Sequence, residues 1–100
     1  GQWDLNRIID HLEKKPLKYE ELCSICDRFF SLKRQKATSH RVYFDNSTGS
    51  IVNIQSGKSG DAKLYQQRQI AELLKLDYEV KNEKDIIEKY EYHIFFSDED

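Results

Sequence analysis

The sequence predicts an α+β fold in which a three-stranded antiparallel sheet packs against helices, and three observations carry that expectation. Two segments of helical period fill the first thirty residues. Alternating segments flank an Asn-Ser-Thr-Gly turn at positions 46–49, and another helical segment follows at 64–76. The 100 residues suffice for one compact unit of ordinary domain size. With 38% hydrophobic residues, the chain has enough apolar surface for a small core and is not composed like a disordered tail.

The first helix is expected over residues 3–14, where Trp3 or Leu5, Ile8, Ile9 and Leu12 share one face. Asp4 stands where a capping side chain belongs, and Pro16 ends the segment because it lacks a backbone donor. A second helix, about 18–30, opens with Glu20 and Glu21 in its first turn and aligns Leu22, Cys23, Cys26, Phe29 and Phe30. Residues 31–36 read as a short strand, and residues 40–45 as a better one, with Val42 and Phe44 opposite Arg41, Tyr43 and Asp45. Asn46 to Gly49 turn the chain into a β-branched return strand at 50–55. In the helix at 64–76, Leu64, Tyr65, Ile70, Leu73 and Leu74 are expected to face the core. Beyond it, residues 82–89 read as a short helix or linker and YEYHIFF at 90–96 as a C-terminal strand. The chain thus divides into a helical extension at 1–16, a main body at 17–80 and an acidic segment with a strand at 81–100.

Sixteen Lys and Arg against eighteen Asp and Glu give a net charge of −2, which by itself speaks against a nucleic-acid partner. The distribution reverses that inference: residues 31–75 carry a net +5 and residues 76–100 a net −6. A basic middle followed by an acidic tail is a reason to consider nucleic acid for the basic part. The plainer reading is that these cations only keep exposed faces soluble. No stretch approaches the roughly 20 apolar residues of a membrane span, so no membrane association is expected. No basic start leads into an apolar run, so no signal peptide is expected.

Two local patterns are set aside. Cys23 and Cys26 form a CxxC, but His11, His40 and His93 are too scattered to complete a metal site, so no metal is expected and both thiols read as small core residues. Two reduced thiols point to the cytoplasm. The loop Ser-Gly-Lys-Ser-Gly at 56–60 lacks the spacing of a phosphate-binding P-loop.

His40 is the candidate for chemistry. It opens the best strand, next to Ser39 and Arg41 and soon after Lys33, Arg34 and Lys36. A neutral imidazole there can take the proton of a ribose 2′-OH, and once protonated can supply one to the leaving 5′-oxygen. Neighbouring cations would hold the scissile phosphate and offset its charge. The plainer alternative is a strand-end histidine with no chemistry. His11 and His93 read as structural.

The run KYEELCSICDRFFSLKRQKATSHRVYFDNSTGSIVNIQSGKSGDAKLYQQRQIAELL resembles the HicA toxins of bacterial type II toxin–antitoxin modules. The shared features are a basic strand, the Ser39-His40 pair, an Asn/Ser/Gly turn, the I-V-N-I-Q strand, and a Gly/Lys loop leading to Lys63, Tyr65, Gln66 and Gln69. The resemblance covers roughly residues 18–78 and rests on the ordered set. It implies a double-stranded-RNA-binding-like fold with an added N-terminal helix and a metal-independent endoribonuclease that cleaves mRNA without a cofactor. It also implies that His40 is the catalytic histidine. Lys33, Arg34, Lys36, Ser39, Arg41, Lys58 and Lys63 are the candidate RNA contacts. Two departures stand out: Thr38 replaces the family's usual glycine, and Gln55 and Ser56 stand where a second histidine is common. They leave open an inactive RNA-binding or antitoxin-docking module of the same fold. The tail KYEYHIFFSDED resembles the first strand of a HicB antitoxin, which implies a HicB-type partner, fused in the same polypeptide or separate.

Overall fold

A computed structural model describes residues 4–37 and 39–96, the last five of them as backbone alone. Trp3, Thr38 and the His93 side chain therefore lie outside the described residues. The element order is α1 (Leu5–Lys14), α2 (Tyr19–Phe29), β1 (Ser31–Ala37), β2 (His40–Phe44), β3 (Ile51–Gln55), a short 3-10 turn (Lys58–Gly60) and α3 (Leu64–Phe96). The fold is α+β, with three α-helices and an antiparallel sheet in the order β1-β2-β3.

Each boundary has a local cause. The Asp4 carboxylate accepts from the Asn6 backbone N–H at 3.1 Å and caps α1. At the start of α2 the Glu21 carboxylate accepts from the Lys18 N–H at 3.1 Å. The β2–β3 turn is built on Asp45: its carboxylate accepts from the Ser47 N–H at 2.9 Å and the Thr48 hydroxyl at 3.0 Å. Gly49 then takes a positive φ of 77°, which a side chain would resist.

One layer of helices covers one face of the sheet. Ile8, Ile9 and Leu12 of α1 meet Leu22, Cys23 and Cys26 of α2 and Ile70, Ala71 and Leu74 of α3 over Tyr43, Val52 and Ile54 of the sheet. Both cysteines are buried free thiols, as their helical spacing suggests, and burial pushes the Cys26 thiol up. A buried amide joins the helices: Gln67 of α3 accepts from the Leu17 N–H at 3.0 Å and donates to the carbonyls of Leu12 at 3.1 Å and Lys15 at 2.7 Å. It satisfies backbone groups that Pro16 leaves outside any helix.

Two expectations are corrected. Leu64 and Tyr65 do not face the core and are 43% and 63% exposed, because the buried side of α3 is the one that carries Gln66, Gln67 and Ile70. Residues 90–96 form no strand; α3 runs unbroken through them to Phe96. The acidic segment holds neither Pro nor Gly, and Lys81 with Asp85, Lys84 with Glu88 and Asp85 with Lys89 stand at helical i,i+4 spacing. A strand there would need a neighbour to accept its hydrogen bonds, whereas a helix satisfies its own. No helix of the described residues is long and apolar enough to cross a membrane.

Candidate nucleic-acid interface

The sheet face away from the helices is open. On β3, Val52 and Ile54 point into the core, while Ile51, Asn53 and Gln55 are exposed. The antiparallel register sets Phe44 opposite Ile51, Val42 opposite Asn53 and His40 opposite Gln55. Cross-strand partners share a face, so His40, Val42 and Phe44 belong to the open side.

Edge strand β1 brings the cations. Its pairing with β2 slips twice, between Leu32 and Arg34 and between Gln35 and Ala37, which leaves Lys33 and Lys36 as the extra residues of two bulges. From Leu32 onward β1 is exposed. The Lys33 ammonium lies 5.5 Å from the centre of the Phe44 ring, and Arg34 pairs opposite Val42 on the open face. Lysine-bearing bulges on an edge strand also deter pairing with another sheet, so two lysines here have a structural use apart from any ligand.

His40 stands at one end of this face, half-buried, paired with Ala37 on one side and Gln55 on the other. Among the described residues its imidazole has no hydrogen-bond or ion-pair partner. The strand end is braced from the far side. The Ser56 N–H donates to the Ser39 carbonyl at 2.9 Å. The Gln55 N–H donates to the Gln66 side chain at 2.9 Å, and the Lys63 ammonium reaches the Gln55 side-chain oxygen at 3.4 Å. Lys63 is thus linked through Gln55 to the strand position facing His40. Lys58 is exposed on the 3-10 turn that follows Ser56. Lys18 and Asp61, 2.8 Å apart, pin the end of that turn to the start of α2.

Arg41 does not join the group. Strand alternation turns it to the helix side, where its Nη1 donates to the Tyr43 hydroxyl at 3.0 Å and lies 3.5 Å from both Asp27 carboxylate oxygens. The Tyr43 hydroxyl in turn donates to Asp27 at 2.6 Å. The Tyr43 hydrogen bond holds the Arg41 guanidinium firmly charged, and burial followed by the Asp27 hydrogen bond raises the Tyr43 hydroxyl. Arg41 therefore links α2 to the sheet on the side away from the open face. Ser39 is an exposed turn residue that contributes its carbonyl to the brace.

The structure thus gathers His40, Lys33, Arg34 and Lys36 on β1–β2 and Lys63 and Lys58 beyond β3, and it places Arg41 on the helix side. Gln55 and Gln66 emerge as the residues that position this end; the sequence marks Gln66 only as a motif residue and Gln55 only as a replacement for a histidine, and only strand register could have paired Gln55 with His40. A second unexpected feature lies at the other end of β2. There Asp45 is 1% exposed and acts on the carboxyl of Asp77 on α3, one of whose oxygens is buried without a partner among the described residues. Among the described residues no group of three His, Cys, Asp or Glu is placed to hold a metal ion. In comparisons with known proteins, no protein family, curated protein or solved structure matches the chain.

Proposed function

We propose that the chain is an RNA-cleaving toxin of the HicA kind, with a double-stranded-RNA-binding-like fold and mRNA as substrate. The observation that supports this best is an imidazole, without a partner among the described residues, at the end of an open sheet face whose neighbouring edge strand carries three cations. The backbone of a single strand would run along β1, its phosphates against Lys33, Arg34 and Lys36, with Lys58 and Lys63 beyond β3. Phe44, beside Lys33, offers an aromatic surface on which a base can stack.

The reaction this arrangement suits is transfer within the RNA. His40 removes the proton of a 2′-OH, the oxygen attacks the adjacent phosphorus, and the bond to the 5′-oxygen breaks. That oxygen takes up a proton, leaving a 2′,3′-cyclic phosphate and a 5′-hydroxyl. Phosphate-bound lysines offset charge as it builds on the phosphorane oxygens. An antitoxin of the HicB kind would act by covering this face.

One observation favours a second reading, RNA binding without cleavage: no described acid lies within hydrogen-bond distance of His40 to serve as its partner. Induced expression in a bacterium separates the two. The toxin reading predicts growth arrest by the parent chain and none by His40→Ala. Equal arrest by both, or by neither, contradicts it.

A further inference from the structure

Among the described residues, the outer half of α3 is not packed into the body. From Tyr78 to Glu91 every residue is exposed, yet the segment is not uniformly polar. Leu73, Leu76, Val80, Glu83, Ile87 and Tyr90 follow one another at alternating spacings of three and four, the repeat of a coiled-coil seam. Of these, Leu76, Val80, Ile87 and Tyr90 are exposed hydrophobics, and Leu73 packs at the margin of the core.

This stripe does not continue the buried face of α3. The core side is formed by Gln66, Gln67, Ile70, Ala71 and Leu74. At about 100° per residue the exposed stripe lies roughly 140° round the axis from it. A straight helix cannot turn both stripes onto one body, so the folded part of the same chain cannot cover the second. An unsupported helical arm is marginal in water, which leaves this stripe to be covered from outside.

The residue types select the occupant. Val80 and Ile87 fall at the first core position of the heptad and Leu76 at the second, the assignment that favours two parallel strands. In that register Lys84 of one helix lies beside Glu79 and Glu83 of the other, an opposite-charge contact in the middle of the seam that a second copy of this segment supplies. Nearer the body the flanking residues Glu72 and Asp77 are alike in charge, and Asp77 is there turned toward Asp45 with its carboxyl pushed up toward the neutral form by burial. Glu83 is the single polar core position, a feature that fixes register while weakening the pair. We propose that the outer half of α3 pairs with the same segment of a second copy as a parallel two-stranded coiled coil. The two bodies then sit at one end of the pair. This surface is separate from the proposed RNA site and does not depend on it.

Sedimentation of the full chain across the micromolar range tests the pairing. The parent chain is expected to dimerise, and Ile87→Lys to be monomeric with the same helical and sheet signature, because Ile87 is exposed on the outer part of the helix. Glu83→Leu is expected to tighten the dimer by about tenfold or more, and Lys84→Glu to weaken it by a similar factor. Tyr90→Cys is expected to form a disulfide between copies on mild oxidation, since a parallel register sets position 90 against itself. A chain that stays monomeric throughout, a dimer indifferent to Ile87→Lys, or a Tyr90→Cys dimer that does not cross-link overturns the proposal.

Discussion

Replacing Asp77 with Asn should change the pH dependence of stability more than any other single substitution. Asp45 is buried and already accepts two hydrogen bonds from its own turn, so its carboxyl cannot move away from Asp77. Burial first, then the hydrogen bond and charge of Asp45, push the Asp77 carboxyl up from 3.8 to about 7. An acid whose folded value is raised holds its proton in the native state while the unfolded chain has lost it. Stability then falls by about 1.4 kcal/mol per pH unit as the pH rises from 4 to 7, and is level above that. Over three units the full effect is about 4 kcal/mol; because Asp77 is partly exposed, we halve it to about 2 kcal/mol. Asn cannot ionise and its amide still donates to Asp45. Asp77→Asn should therefore match the parent in urea unfolding near pH 4 and exceed it by about 2 kcal/mol at pH 8. A difference of the same size at both pH values would refute the reasoning, as would a variant less stable at pH 8.

Three further outcomes follow from the same geometry. Gln67→Met keeps the volume but strands the Leu17 N–H and two carbonyls, and should cost about 2–3 kcal/mol in thermal or urea unfolding. Lys33→Ala with Lys36→Ala should weaken RNA binding and flatten the dependence of log affinity on log salt by roughly 0.7 for each lost contact, read by fluorescence anisotropy. Arg41→Ala should leave that salt slope unchanged and instead lower the melting temperature, because it removes the cation from the Asp27–Tyr43 pair.

Periodicity made much of the fold legible. The stripe of Leu22, Cys23 and Cys26, the cap at Asp4 and the alternation through β2 and β3 each depend on neighbours within a few residues, and a sequence displays such neighbours directly. The failures share a cause. Tyr-Glu-Tyr-His-Ile-Phe-Phe has high strand propensity, but propensity is settled by whether a neighbouring strand is present, and here the acidic helix before it simply continues. Leu64 and Tyr65 have the right chemistry for a core, but the helix turns Gln66, Gln67 and Ile70 to the body instead.

The candidate site divides in the same way. Lys33, Arg34, Lys36 and His40 are close in sequence, so their grouping could be anticipated. Arg41 is adjacent to His40 yet faces the other way, which alternation foretells once the buried side is known to be that of Tyr43. Gln55 and Gln67 could not be assigned from sequence, because their partners lie on other elements: His40 and Lys63 for one, Leu12, Lys15 and Leu17 for the other.

Cleavage of an end-labelled single-stranded RNA by purified parent chain and His40→Ala, with binding followed in parallel, tests the central claim most directly. The account predicts fragments ending in a 2′,3′-cyclic phosphate from the parent. His40→Ala should bind with unchanged affinity and cleave at least about a hundredfold more slowly. Cleavage at the same rate by both proteins, or binding by both with cleavage by neither, would contradict it.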